Sequence, residues 1–528
     1  MTWFSLPTVR PDNTDPAPPF VDLAGCNAWL AAQPLANAPL MQGELGDALE
    51  AINTWPIPAR TRYKVLDALR KAIFAVDTES AKRFEHRPLP LTAIEQLAFD
   101  NSCRIWRQLA IGYLHCLRAC LDGDASIAEH GAKVAHRVLT TLRCEQIARY
   151  RAGAAVPGNW WRLLHAAYAA AEQMDVLRED IADRLFAETR ESSATGQYAM
   201  AVLTHLARPY ELSRSQFAAT LRWLARWREL AAPHADAESA RYARHVTIDL
   251  SSDAPVHAGV GAPAMARWLP LDGVLGKLKN RLKGLKEGQS PEDLKLGSGI
   301  STEACIGLLQ YLHSALQGTP QGLPEDRNGK PVGVSPTVET AYRLLGGKAL
   351  TAPGEPSAIS NRRVAEQIAI FGRASREEEN TFVPEGWRLL QATASDLLLV
   401  RPAGLEGERI ALRALMAVQL DDQQAPVIVI TRSLTTTESG DLIVAARIQA
   451  ANGTAMLATG REKVTNKVTP QPTVFVPANP ALEKPASLFI AAGVMSRLIR
   501  LDTGELPGGL KPGNPIDRGS NYERLACS

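Results

Sequence analysis

His115, Cys116 and Cys120 come nearest, by type and spacing, to a reactive centre: the cysteines stand four apart on a predicted helix with the imidazole beside them, a metal-compatible arrangement. Cysteine is also among the most buried residue types, and core packing is the reading taken. Gly259-Val260-Gly261 has neither the strand directly before it nor the helix glycine after it that a dinucleotide loop needs. Gly346-Gly347-Lys348 runs into Ala349 rather than Ser or Thr and lacks the upstream glycine of a phosphate loop. Trp160, Trp161, His165 and Tyr168 fall at helical spacing, which suits an interhelical core. The segment 277–286 sets Lys277, Lys279, Arg281, Lys283 and Lys286 around an apolar stripe of Leu278, Leu282 and Leu285 that begins at Leu275. That pattern fits a surface helix with a solvated face, or one that docks on an acidic partner or a membrane surface. No nucleophile–base pair or metal set can be named, so a non-enzymatic chain with no metal and no cofactor is expected.

Composition bounds the rest. With 528 residues, the chain needs roughly two to four domains to form its cores. Its 45% hydrophobic and 22% charged content is that of an ordinary globular protein, and a net charge of +2 gives no strong pull toward nucleic acid. The longest apolar run, near 488–495, is far too short to span a bilayer. The start, Met1-Thr2-Trp3-Phe4-Ser5-Leu6-Pro7, lacks the basic and apolar parts of a secretory signal. Seven scattered cysteines, an odd number, fit free thiols in a reducing compartment, and a cytoplasmic location is expected.

Two grammars position whatever chemistry there is. After a Pro- and Asp-rich start, Asp22 is a plausible N-cap with Cys26, Trp29 and Leu30 behind it. Residues 61–76 carry Val65, Leu66, Leu69, Ile73 and Phe74 on one face and charges around the other. Helical periods follow over 97–120, 126–152, 160–178, 181–188, 195–207 and 213–230, joined by short breaker-rich turns. Such helices favour antiparallel hairpins, here an irregular α-solenoid-like array without a strict repeat. Residues 245–250 alternate and predict a lone strand; helices are predicted over 271–285, 300–316, 337–345 and 361–371. The expected domains are 1–90, a helical region with a mobile start, 91–322, a helical-hairpin domain, and 323–528.

Beyond residue 385 the period shortens to that of strands. Runs at 387–391, 397–401, 410–419, 426–433, 442–449, 454–458, 473–476, 487–490 and 498–501 are punctuated by Gly, Asp and Pro, as in a barrel or sandwich. Ser439-Gly440-Asp441 and Asn452-Gly453 are hairpin signals, because Gly and Asn tolerate positive φ.

Three stretches carry a resemblance: Gly386-Trp387-Arg388-Leu389-Leu390-Gln391 with Ala392-Thr393-Ala394-Ser395-Asp396 after it, Gly407-Glu408-Arg409-Ile410-Ala411-Leu412, and Val427-Ile428-Val429-Ile430-Thr431-Arg432-Ser433. Residues 325–528 resemble PilZ domains, bacterial β-barrels that bind cyclic di-GMP, and more narrowly a proteobacterial group with a long helical region ahead of the barrel. The resemblance implies a C-terminal antiparallel barrel with a helical insert. It also implies that the family's (Asp/Asn)-x-Ser-x-x-Gly motif falls on Gln391, Thr393 and Asp396. The family's Arg-x-x-x-Arg motif has its nearest match in Arg327-Asn328-Gly329-Lys330, one residue short; Arg362-Arg363 is a second candidate. A guanidinium offers a planar fork to phosphate and to a guanine edge, so Arg327 and Lys330 are the expected phosphate partners. Thr393 keeps a hydroxyl and Gln391 a hydrogen-bonding amide, while Asp396 adds a negative charge beside the ligand. The implied function is a cytoplasmic cyclic di-GMP effector whose helical region meets a protein partner. The alternative is a pure interaction scaffold whose barrel binds no nucleotide.

Overall fold

Asp22 caps the first helix as its side chain predicts: Oδ1 accepts from the Gly25 amide at 2.8 Å, and α1 (Leu23–Ala32) follows. The computed structural model describes residues 5–9, 17–34, 36–186, 191–236, 244–318, 324, 326–348, 382–421, 424–479, 484–504 and 506–528. The chain divides into two compact units, one of Met1–Arg87 with Leu91–Leu323 and one of Pro88–Pro90 with Pro324–Ser528.

Helices build the first unit: α2 (Ala38–Thr54), α3 (Ala59–Phe84), α4 (Ala93–Leu121), α5 (Gly131–Arg151), α6 (Gly158–Gln173), α7 (Ala194–Leu206), α8 (Arg214–Trp227), α9 (Asp272–Lys286) and α10 (Thr302–Gln317). Most begin where the sequence places a cap. On α4 the Thr92 hydroxyl accepts from the Glu95 amide while the Glu95 carboxylate accepts from the Thr92 amide at 2.8 Å, a reciprocal pair that satisfies two otherwise unpaired donors. The stripe Val65, Leu66, Leu69 and Ile73 is fully buried, and one continuous apolar cluster runs from α1 to α10. Trp160, Trp161 and Tyr168 lie inside it, which bears out their reading as interhelical core. All seven cysteines are free; Cys116 is buried beside the Ala59 carbonyl, and no group of His, Cys, Asp or Glu among the described residues could hold a metal ion.

Two local expectations in the first unit are overturned. Residues 181–182, expected to be helical with the rest of 181–188, form strand β1 (Ile181–Ala182), paired antiparallel with β2 (Glu191–Ser192). The reason is tertiary: the buried Asp183 that follows is gripped by Arg70 of α3 and Arg137 of α5 at 2.6 and 2.7 Å, a position a helix continuing from α6 would not supply. The strand expected alone at 245–250 has a partner, since β3 (His245–Asp249) pairs with β4 (Ala266–Pro270). The helix expected over 361–371, with Arg362 and Arg363, lies outside the described residues.

Strands build the second unit. They are β5 (Lys330–Ser335), β6 (Glu385–Ala392), β7 (Asp396–Arg401), β8 (Leu415–Gln419), β9 (Val427–Thr436) and β10 (Leu442–Ala450), which close an antiparallel barrel in the order β10-β7-β6-β5-β8-β9. A second sheet, in the order β14-β11-β12-β13-β16-β15, holds β11 (Thr454–Glu462), β12 (Val468–Val476), β13 (Ser487–Ala491), β14 (Leu498–Asp502), β15 (Pro512–Arg518) and β16 (Tyr522–Cys527). Helix α11 (Val338–Leu344) packs Val338, Ala341 and Tyr342 against Leu415 and Ile428 of the barrel and Phe489 and Tyr522 of the sheet. The architecture is therefore the expected one, a helical region followed by an antiparallel barrel, with a second sheet added. Gly440 does turn the β9–β10 hairpin at φ +87°. Asn452-Gly453 does not make a hairpin: it carries the chain from the barrel to the second sheet, and a Cβ on Gly453 would stand 2.7 Å from Ile428.

Candidate ligand face on the barrel

The β6–β7 turn is built by a side chain. Thr393 Oγ1 accepts from the amides of Ser395 (3.3 Å) and Asp396 (2.9 Å) and donates to the Asp396 carbonyl (3.1 Å). A hydroxyl has one donor and two acceptor sites, so the turn uses all of this one's capacity. Gln391, at the end of β6, is exposed and stands opposite Leu398, two residues along β7 from Asp396.

Asp396 is not an isolated negative charge. Register puts it opposite Arg447 of β10, whose Nε lies 3.4 Å from Oδ1. Arg432 of β9 comes to 3.7 Å of the same oxygen, and Ser395 donates to Oδ2. Arg432 reaches there from a bulge: Thr431 pairs with Ala446 and Ser433 with Ala445, leaving one extra residue between them, a device that re-aims a side chain. Two guanidiniums thus meet on one carboxylate, two residues along β7 from the position opposite Gln391. Guanidiniums in such a cluster offer planar N–H donors of the kind that take an anion or the edge of a purine. Arg447 escapes a motif search because its signal is only the period-two pattern Ala445, Arg447, Gln449. Arg432 was visible as the end of an apolar strand, but not its bulge.

The segment before β5 carries the other two expected residues. Arg327 Nη1 donates to Ser439 Oγ (2.6 Å) and Asp441 Oδ2 (2.9 Å) at the β9–β10 hairpin. Burial works against the Asp441 carboxylate, but the Ala403 amide, Ser439 and Arg327 outweigh it and hold its pKa below the ordinary range. Lys330, the first residue of β5, is largely exposed, with Nζ 4.0 Å from Asp421. Asn328 between them accepts from Arg388 of β6 at 3.1 Å. The structure brings Thr393 and Asp396 together, with Gln391 beside them. Arg327 stands apart: its anchor Asp441 and Arg447, the partner of Asp396, are six residues apart along the β9–β10 hairpin and β10, about 20 Å of extended chain.

At the opposite, inward face of β6, Trp387 is buried and donates to Glu385 at 2.9 Å. Glu385 also accepts from the Glu408 amide, and buried Arg401 donates to the carbonyls of Leu405 and Glu408. This network holds the wall of the barrel on which the outer face rests.

The geometry is that of a two-unit protein, a helical array followed along the chain by a barrel with an arginine–carboxylate cluster on its outer face. Residues 24–237, within the helical unit and less than half of the chain, match the family model described as the N-terminal domain of the cyclic-di-GMP receptor FimW. No curated protein and no solved structure matches the chain. No helix among the described residues is long and apolar enough to cross a membrane.

Proposed function

We propose that the chain is a non-enzymatic, cytoplasmic cyclic di-GMP receptor whose barrel is PilZ-like and whose helical unit passes the bound state to a protein partner. The observation that carries this reading is the match of residues 24–237 to the N-terminal domain of a cyclic-di-GMP receptor family, in a chain that goes on to a closed six-stranded barrel. In the proposed site Gln391 offers its amide to a guanine edge, and Lys330 pairs with phosphate. Arg327 pairs with phosphate on leaving Asp441, while Thr393 and Asp396 hold the turn and aim Arg432 and Arg447. Charge-assisted contacts of this kind are each worth about 1.5–3 kcal/mol.

Calorimetric titration of the full chain with cyclic di-GMP tests the proposal. Arg447→Ala and Arg327→Ala should each weaken binding by about 10-fold or more. An absence of heat at high micromolar ligand leaves the pure scaffold as the reading. Unchanged affinity in both variants removes the site from this face.

A further inference from the structure

The helical unit contains a second cationic feature that neither the barrel nor the proposed ligand face uses. Between α3, α5 and the residues after β1 lies a cavity of about 280 Å³. Its wall carries two carboxylates, Asp67 and Asp183, and five cations, Arg70, Lys71, Lys133, Arg137 and Arg184. The carboxylates are spoken for. Asp183 lies between Arg70 (2.6 Å) and Arg137 (2.7 Å), and Asp67 accepts from Arg137 Nε at 3.0 Å with Lys133 3.5 Å away. Burial works against both carboxylates, but the surrounding cations outweigh it and hold both below the ordinary range, so both are ionised and already counted.

The balance is then three positive charges in excess around one small recess. Arg70 and Arg137 are buried, while Lys71 and Arg184 are exposed and have no ion-pair or hydrogen-bond partner among the described residues. A stabilising ion-pair network needs no such surplus, since like charges crowded at a partly desolvated site repel one another. An anion in the recess would offset that repulsion and find guanidinium donors that the two carboxylates leave over.

We infer that this cavity binds the phosphate or pyrophosphate group of a small-molecule ligand. A volume of about 280 Å³ suits such a group and falls just below the range in which whole drug-sized ligands are enclosed. This site is lined by residues of the helical unit alone and is argued without the barrel's ligand.

The test uses the full chain, inorganic phosphate and pyrophosphate as probes, and the variant Lys71→Ala/Arg184→Ala, which leaves every ion pair of Asp67 and Asp183 in place. Calorimetry should give saturable binding to the wild type, and pyrophosphate should raise its thermal midpoint above that in matched chloride. In the double variant the affinity should fall at least about 10-fold and the thermal shift should disappear, with the ligand-free midpoint no lower. Absence of saturable binding of both anions, or unchanged affinity in the double variant, would overturn the inference. Cyclic di-GMP titrated into the double variant separates the sources. A parallel loss assigns the dinucleotide's own phosphates to the cavity; retained affinity assigns a different phosphate-bearing molecule. Pyrophosphate binding without cyclic di-GMP binding in the wild type would leave this site standing while the receptor reading fails.

Discussion

Two buried histidines make the helical unit sensitive to acid. His165 donates from Nε2 to the Ala254 carbonyl at 2.8 Å and accepts at Nδ1 from the Tyr198 hydroxyl at 2.7 Å. His136 faces Arg137 with Nδ1 at 3.3 Å; a guanidinium can only donate, so Nε2 donates to the Ser192 hydroxyl at 2.7 Å. Burial pulls His165 down to about 4, and burial with the adjacent Arg137 pulls His136 down to about 3. In the unfolded chain both titrate near 6.5. The folded pKa values lie below the unfolded ones, so the stability is present above pH ~6.5 and is lost progressively as pH falls through the folded pKa values. At pH ~5 each residue should have removed about 2 kcal/mol. Urea unfolding at pH ~7 and pH ~5 should therefore differ by about 4 kcal/mol from this pair, and a flat profile would refute the neutral imidazoles. Sequence reading placed His165 correctly in a core. His136 leaves no such signal in the sequence, because its partner Ser192 comes from 56 positions away.

At the scale of elements, what was legible was whatever short-range chemistry decides. The cap at Asp22, the stripe on α3 and the short β-prone runs that become β7 and β10 depend on neighbours a few residues apart, and they fold as read. The Thr92–Glu95 cap of α4 is of the same kind: Thr92→Ala should cost about 1 kcal/mol in urea unfolding while Thr92→Ser costs close to nothing. Equal losses in the two variants would mean that packing rather than the hydroxyl holds that end. Strand β15 went unread because Pro512 and Pro515 argue against a strand; it exists as an edge strand, where a missing N–H leaves no central ladder bond unmade. Asn452-Gly453 has the composition of a hairpin turn, yet its glycine serves a close approach to Ile428. The same residue pair meets both needs, and composition alone does not separate them.

At the scale of the whole molecule, among the described residues, one apolar cluster gathers α1 to α10, and another gathers α11 with residues of the barrel and the second sheet. A core lesion in the barrel should then stay there. Trp387→Ala removes a side chain only 1% exposed, leaves Glu385 without its indole partner, and should cost about 3–5 kcal/mol. Hydrogen exchange should speed up over the strands of the second unit and remain unchanged over α3 to α7. Faster exchange in both units would show that their cores are coupled.

By itself the amino-acid sequence determined the two grammars, helical before residue 320 and strand-like after 385, because periods of 3.6 and 2 are set by residues close along the chain. It also marked the β6–β7 turn that bears Gln391, Thr393 and Asp396. The tertiary structure alone decided which charges meet. Asp183 finds Arg70 from 113 residues away and Arg137 from 46, and Asp396 finds Arg447 from 51. Those pairings follow from helix packing and strand register, which no local pattern encodes. They turn an expected stray carboxylate into the centre of an arginine cluster, and a stretch expected to be helical into the wall of a cationic cavity.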